Sequence, residues 1–145
     1  MATLEGKVVL LTGAARRIGA VIARTLHAAG ATVVIHYRHS AADAQQLQTA
    51  LNTQRAASCF LVQGDLLAVA QLPSLIAETL ALTGRLDVLV NNASSFYPTP
   101  IGTLTETQFD DLIGTNLKAP LFLAQAAVPQ LRANHGCIIN IVDIH

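Results

Sequence analysis

The sequence has 145 residues, of which 52% are hydrophobic and 12% are charged. This length and apolarity predict one folded domain with a buried core, and they exclude a disordered chain. Nine basic residues balance nine acidic ones, so no global field attracts the chain to nucleic acid or to an anionic membrane surface.

Apolar, β-branched runs alternate with helical patterns along the whole chain. Five runs predict parallel strands covered on both faces, at residues 7–11, 32–37, 59–63, 87–90 and 137–142. The first helix has apolar spacing at Ile18, Val21, Ile22, Thr25, Leu26 and Ala29, and the third at Leu72, Leu75, Ile76, Thr79 and Leu80. Strict alternation predicts an α/β fold with a doubly wound parallel sheet between two layers of helices.

Helix ends are marked by capping and stop residues. Ser40 with Asp43, and Thr105 with Gln108, resemble capping boxes that open the second and fourth helices. Glycines at positions 30 and 84 are placed as helix stops.

Residues 12–19, with the sequence TGAARRIG, join the first strand to the first helix. Gly13 permits a sharp turn because it has no Cβ. The helix start offers free N–H groups and a positive dipole end to a pyrophosphate. Gly19 lies on the first helical turn, where a side chain would block packing or a cofactor. The spacing differs from G-x-G-x-x-G, so an ordinary tight turn is the alternative interpretation.

The end of the second strand distinguishes between dinucleotide cofactors. NAD-binding folds usually carry an acid there, which accepts hydrogen bonds from ribose hydroxyls. This chain instead has His36, Tyr37, Arg38, His39 and Ser40. Arg38 would attract a 2′-phosphate, Ser40 could donate to it, and Arg17 adds charge nearby. The sequence therefore predicts NADP(H), with solvated loop residues at Arg38 and His39 as the alternative.

Asp65 and Leu66 come at the end of the third strand. At that place a carboxylate can accept from the adenine amino group, while the apolar neighbour packs on the ring. A helix-capping role for Asp65 is the alternative interpretation, and the two roles are compatible.

Residues 91–96, NNASSF, close the fourth strand. Ligands of open parallel sheets lie outside the carboxyl ends of strands near the reversal of strand order, which strands one and four are predicted to flank. Small Ala93 permits close approach of a cofactor. Phe96, in a polar loop, is either a stacking platform for a flat substrate ring or an apolar anchor of the loop.

Pro120 falls within the predicted fourth helix, residues 109–131. Proline has no N–H, so the carbonyl of Asn116, four residues earlier, loses its helical partner. That carbonyl could hold an ordered water in a proton relay, and a simple kink is the alternative. The helix is apolar around much of its circumference, which hints at a partner surface.

Cys59 and Cys137 lie far apart in apolar runs, which predicts reduced core residues rather than a disulfide or metal ligands. No metal site is predicted. The first residues lack the layout of a signal peptide, and no apolar run is long enough to span a bilayer. We therefore expect a cytoplasmic protein.

These motifs together resemble the N-terminal part of a short-chain dehydrogenase/reductase, a family with a Rossmann-like fold. Finer features resemble the pteridine reductases: Arg17 where the family usually has Gly, residues 36–40, residues 91–100 (NNASSFYPTP) and residues 140–143 (NIVD). The resemblance implies an NADPH-dependent oxidoreductase that reduces pteridines, such as biopterin-like pterins and dihydrofolates, by hydride transfer. It also implies a homo-oligomer, by analogy a tetramer.

The resemblance implies roles for single residues as well. The cofactor would be bound by Gly13, Arg17, Ile18, Gly19, His36, Tyr37, Arg38, His39, Ser40, Asp65, Leu66, Asn92, Ala93 and Ser94. Arg17 and Ser94 would also contact the pterin, and Phe96 would sandwich it against the nicotinamide. Asp143 would stand where most relatives have Ser and assist protonation, with Asn116 as the second catalytic candidate.

The family's Tyr-x-x-x-Lys segment follows the fifth strand, whereas only Ile144 and His145 follow Asp143 in this chain. We therefore expect residues 1–145 to be the NADP-binding, N-terminal part of a longer single-domain reductase, truncated after the fifth strand. Two alternatives stay open. One is a short-chain reductase of another carbonyl substrate, such as a keto-acyl or sugar compound, and the other is a non-catalytic, truncated NADP-binding module.

Overall fold

A computed structural model describes residues 3–142 of the chain. Within this part the strands are β1 (Val8–Leu11), β2 (Thr32–Tyr37), β3 (Cys59–Gln63), β4 (Val88–Asn91) and β5 (Cys137–Asn140). The α-helices are α1 (Arg17–Ala28), α2 (Ala41–Gln54), α3 (Leu72–Thr83), α4 (Glu106–Ile113) and α5 (Ala119–Ala133). A short 3₁₀-helix, Val69–Gln71, precedes α3, and a π-helical turn, Gly114–Lys118, joins α4 to α5.

The strands form one parallel sheet in the order β3-β2-β1-β4-β5. The chain builds outward from β1 to β3 and then returns to the other side of β1 for β4. The strand order therefore reverses between β1 and β4, whose carboxyl ends lie side by side in the register Leu11↔Val90. This arrangement confirms the predicted doubly wound sheet and the predicted neighbourhood of the first and fourth strands.

Side chains of β1 alternate between two apolar cores because successive residues of a strand point to opposite faces. Val8 and Leu10 pack with residues of α3 and α5 on one face. Val9 and Leu11 pack with residues of α1 and α2 on the other. Both faces of the sheet are thus covered, which explains why the strands read as nearly continuous apolar runs.

The buried face of α1 differs from the predicted one. Gly19, Ala23 and His27 are buried against the sheet, whereas Ile18 and Val21 are 66% and 63% exposed. The prediction ranked residues by apolarity, but small residues allow the helix to approach the sheet more closely. Ile22 and Leu26 are partly buried and pack against the core, so the predicted face is confirmed at these two residues and was wrong at Ile18 and Val21.

One of the two predicted capping boxes is confirmed. Thr105 accepts from the N–H of Gln108, and the Gln108 side chain accepts from the N–H of Thr105. Ser40 makes no such bond, so the box with Asp43 was wrong. The backbone explains the difference: Thr105 is extended with ψ 155°, as a capping residue usually is, whereas Ser40 has ψ 55°.

The predicted fourth helix, residues 109–131, is divided into α4, the π-helical turn and α5. The interruption comes directly before Pro120, where Ala119 donates its N–H to Gly114 O five residues earlier. Proline thus lies in the first turn of a new α-helix, where its missing N–H is tolerated.

Cys59 and Cys137 are both free thiols, and only the first is a core residue. Burial raises the pKa of Cys59 to about 12, so this thiol is unreactive at neutral pH. Cys137 is exposed on β5, at the edge of the sheet that residues 3–142 form, which differs from its predicted burial. In residues 3–142, no helix has both the length and the apolarity needed to cross a bilayer.

Candidate functional site

A cleft of about 1480 Å³ opens at the carboxyl edge of the sheet, where β1 and β4 end. It brings together most of the predicted site residues: Gly13, Arg17, Ile18, Gly19, Tyr37, Arg38, His39, Ser40, Asn92, Ala93, Ser94, Phe96 and Asn116. His36, Asp65 and Leu66 do not line it. Asp143 lies outside the described residues.

The ends of β1 and β4 are joined by Thr12 and Asn92. Thr12 Oγ1 accepts hydrogen bonds from the N–H groups of Asn92 and Ala93, both at 3.0 Å. The Asn92 amide donates to Thr12 O at 3.0 Å and to Gly13 O at 3.2 Å. These bonds fix the turn after β1 against the loop after β4, and Thr12 is a residue whose part the sequence analysis missed.

At this turn the backbone lies so close to neighbouring atoms that two positions have no room for a side chain. A Cβ on Gly13 would lie 2.8 Å from Ala93 Cα, and the residue has φ +60°, which disfavours any side chain. A Cβ on Gly19 would lie 2.6 Å from Gly13 O and 2.7 Å from Ala14 Cα. Glycine at both positions lets the start of α1 pack directly on the turn.

His36 supports the same turn from β2. Its ring is 2% exposed, Nδ1 lies 3.2 Å from the N–H of Gly13, and Nε2 lies 3.1 Å from Gly64 O. Its carbonyl also accepts the N–H of Ala14 at 3.1 Å. His36 is therefore buried beneath the cleft, where it holds the turn.

The start of α1 keeps N–H groups available to a ligand. The helical ladder begins with Ala20 N donating to Arg16 O, so the N–H groups of Arg17, Ile18 and Gly19 come before it. Arg16 caps the helix without a side-chain hydrogen bond. An anion in the cleft would meet this helix end together with the Arg16 and Arg17 side chains.

Arg38 lines the cleft and pairs with Asp65 at 2.8 Å, in an ion pair open to solvent on both sides. The second Asp65 oxygen accepts the N–H of Leu67 at 3.0 Å within the turn after β3. Asp65 caps neither the 3₁₀-helix nor α3, so the helix-capping interpretation of this residue was wrong. Leu66 is 8% exposed and belongs to the apolar core. Its side chain therefore faces away from the cleft.

The loop after β4 is held by Asn116. Its amide donates to Ser95 O at 2.7 Å, and its side-chain oxygen accepts the N–H of Ser95 at 3.2 Å. These two bonds fix the loop that carries Ser94 and Phe96, whose ring is 69% exposed beside the cleft.

A second amide pair closes the cleft toward β5. Asn91 donates to Asn140 Oδ1 at 2.9 Å, and the two residues are partners in the strand register. Asn140 lines the cleft, and the sequence analysis gave it no role of its own. A polar residue inside the predicted apolar strand 137–142 was the signal that could have found it.

Comparisons with known proteins agree with this geometry. The family model for short chain dehydrogenases matches residues 7–144. Pteridine reductase 1 of Leishmania tarentolae is 40% identical, over 94% of this chain and 60% of its own length. A hydroxynaphthalene reductase of Aspergillus fumigatus is 36% identical, over 94% of this chain and 50% of its own.

A 3-oxoacyl-acyl-carrier-protein reductase of Staphylococcus aureus is 34% identical, over 95% of this chain and 56% of its own length. The chain thus spans about half to three fifths of these relatives. The similarity extends across several substrate classes.

Proposed function

Because the chain belongs to the short-chain dehydrogenase family of oxidoreductases, we propose that it serves NADPH-dependent reduction of a pteridine. Members of this family bind nicotinamide cofactors. One observation carries the proposal: the same cleft is lined by Arg38 and Ser40, which follow β2, and by Arg17, Ser94 and Phe96, from the turn after β1 and the loop after β4.

The residues present fit a phosphorylated dinucleotide. Gly13 and Gly19 leave no room for a Cβ because Ala93 and the turn itself lie there, so the start of α1 is held directly on the turn at the cleft. The free N–H groups at the start of α1 suit a diphosphate. Arg38 and Ser40 suit the 2′-phosphate, and residues 36–40 contain no acid. A 2′-phosphate at Arg38 would take the place of the Asp65 carboxylate, which pairs with this guanidinium in a solvent-exposed ion pair. The cofactor would extend along the edge of the sheet between these two groups.

The substrate end of the cleft combines an aromatic ring with polar groups. Phe96 offers a flat face on which a pterin ring can stack. Arg17 and Ser94 offer donors for the polar edge of a pterin and for the cofactor phosphates. Such a set favours a planar, hydrogen-bonding heterocycle over a flexible aliphatic carbonyl compound.

When bound, NADPH supplies the hydride for a C=N bond of the pterin. The chain aligns the two rings, and alignment accounts for much of the rate in such reactions. Asn116 holds the loop after β4, which carries Ser94 and Phe96, through its hydrogen bonds with Ser95. We assign Asp143 to the delivery of the proton to the pterin nitrogen, with Asn116 at a water in that relay.

The second candidate is reduction of another carbonyl substrate. It is favoured by the similarity to the 3-oxoacyl-acyl-carrier-protein and hydroxynaphthalene reductases. Either reaction would use the turn after β1 together with Thr12, Asn92 and Asn116. The two candidate functions are therefore distinguished by Arg17 and Phe96.

We further propose that the protein works in the cytoplasm as a homo-oligomer, and that residues 1–145 are the N-terminal part of a longer reductase. The oligomer is supported by exposed apolar side chains on α4 and α5 that do not line the cleft, namely Phe109, Ile113 and Phe122. A second copy of the chain would cover them.

A substrate panel tests the function. The protein expressed from its complete gene is assayed with NADPH against dihydrobiopterin, dihydrofolate and an acetoacetyl thioester. We expect turnover of the pteridines, a loss of about tenfold or more in kcat/KM for Phe96→Ala, and recovery in Phe96→Tyr, which keeps the ring. Turnover of the thioester alone would establish the second candidate.

A further inference from the structure

His36 occupies an unusual position for a residue on a cofactor-binding strand. Its ring is buried, and each ring nitrogen lies opposite one backbone group: Nδ1 at the N–H of Gly13 and Nε2 at the carbonyl of Gly64. A neutral imidazole has one donor and one acceptor nitrogen. Since an N–H can only donate and a carbonyl can only accept, Nδ1 must be the bare nitrogen and Nε2 must carry the proton.

The neutral ring suits the buried position. Burial lowers the pKa of His36, while the Gly64 carbonyl and the charge of Asp65 act in the opposite direction. A protonated ring would turn Nδ1–H toward the N–H of Gly13 and replace a hydrogen bond by a repulsion. The geometry is therefore consistent with a single protonation state at neutral pH.

The Gly13 amide connects His36 to the cleft. Ala93 lies against Gly13 so closely that a Cβ on Gly13 would be 2.8 Å from Ala93 Cα. The Gly13 carbonyl also accepts a hydrogen bond from the Asn92 amide. Gly19, in the first turn of α1, packs on that same carbonyl. A displacement of Gly13 would therefore move the N–H groups at the start of α1.

We propose that His36 is a positioning residue for the dinucleotide: through the Nδ1 bond to Gly13 it sets the place of the helix start that receives the diphosphate. This inference rests on the proposed cofactor site. His36 does not line the cleft, so it acts on the cofactor through the turn. The Nε2 bond to Gly64 serves to hold the ring and the end of β3.

Two substitutions of His36 distinguish the role of Nδ1 from the role of Nε2. The Asn side-chain oxygen reaches the place of Nδ1, so His36→Asn keeps an acceptor for Gly13 and loses the donor to Gly64. The Gln amide nitrogen reaches the place of Nε2, so His36→Gln keeps the donor to Gly64 and loses the acceptor for Gly13. Each variant loses one buried hydrogen bond, so similar losses of stability are expected from both.

Dissociation constants for NADPH and NADH are measured by calorimetry on the protein expressed from its complete gene. We expect His36→Gln to weaken both dinucleotides by about tenfold, since they share the diphosphate, and His36→Asn to stay within about threefold of the parent. As a control, His27→Asn, whose side chain does not reach the place of Nε2, removes the buried contact with Ser58 Oγ at the other end of α1 and should lower stability with unchanged affinity.

Equal effects of the Asn and Gln variants, or a larger loss in the Asn variant, would overturn the inference. A parent protein that binds neither dinucleotide would instead contradict the proposed function. If the variants do not fold, ¹⁵N NMR of the unmodified protein decides. A ring protonated only at Nε2 agrees with the inference, and a proton on Nδ1 would overturn it.

Discussion

Arg17 has a backbone conformation that its side chain disfavours. Its φ is +52°, in the left-handed region, where a residue with a Cβ costs about 1 kcal/mol or more. The residue lines the cleft at the start of α1. Strain of this kind at a cleft supports a function for the side chain, and the function proposed for Arg17 is contact with phosphate and pterin.

The Arg17→Gly variant separates strain from function. We expect it to raise the free energy of unfolding by up to about 1 kcal/mol because glycine adopts positive φ without a steric cost. The same change should weaken NADPH and pterin binding, because the guanidinium is lost. Chemical denaturation and calorimetry on the same samples would measure both effects.

Ala57 supplies the matched control, since its φ is also +52° and it lies outside the cleft. Ala57→Gly should bring the same gain in stability with unchanged affinity. Arg17→Gly binding NADPH and pterin as tightly as the parent would contradict the role assigned to this side chain.

We expect Asp87 to make the clearest contribution to the pH dependence of the free energy of unfolding. Burial alone would raise its pKa, but hydrogen bonds from Arg85, the Val8 N–H and Lys7 together lower it. The folded state then binds fewer protons than the unfolded state in the acid range. The stability that Asp87 contributes is therefore complete above the ordinary pKa of 3.8 and is lost as pH falls through the lower folded value.

The Asp87→Asn variant tests this assignment. At pH 7 it should unfold about 2 kcal/mol more easily, because charge-assisted bonds to Arg85 and Lys7 are lost. The difference in unfolding free energy between parent and variant should narrow as pH falls below 3.8, where the parent carboxylate becomes protonated. Urea denaturation across this range would measure it, and a gap that stays constant would show that Asp87 does not titrate as described.

Some single-residue roles could be predicted from the sequence and others could not. The tight turn at Gly13 was predictable because a glycine between a strand and a helix typically marks a sharp change in chain direction. The role of Thr12 was not, since its hydroxyl matters only through two N–H groups about 80 positions away. His36 was placed in the cofactor site by its neighbours in the sequence, and the structure buries it one layer below.

At the scale of elements, the two N-caps give a matched pair of predictions. Thr105 forms a complete capping box, so Thr105→Ala should cost about 1 kcal/mol. Ser40 begins α2 without a side-chain bond and lines the cleft, so Ser40→Ala should leave stability nearly unchanged and weaken NADPH relative to NADH. Thermal unfolding and cofactor titration would compare them. Equal losses of stability in the two variants would contradict the difference in capping.

The strands were closely predictable because alternation of buried strands and amphipathic helices is a strong pattern. The facing of α1 was not, because it depends on how closely Gly19 and Ala23 let the helix approach the sheet. Cys137 is exposed on β5, which lies at the edge of the sheet formed by residues 3–142. The apolar sequence around Cys137 contains no sign of this exposure.

At the scale of the whole molecule, the strand order explains why distant motifs form one site. The sheet pairs Val9 of β1 with Val88 of β4, although the two strands are separated in sequence by β2, β3 and the helices between them. Since the reversal of strand order leaves a crevice there, the turn after β1, the end of β2 and the loop after β4 all face one cleft. This part of the site was predictable once the fold was.

The most direct test of the central claim is the ratio of NADPH to NADH affinity in the parent protein and in Arg38→Ala. A 2′-phosphate at Arg38 predicts that NADPH binds about tenfold tighter or more, and that Arg38→Ala removes most of this difference while leaving NADH unchanged. A parent protein that prefers NADH, with NADPH affinity unaffected by Arg38→Ala, would contradict the proposed site.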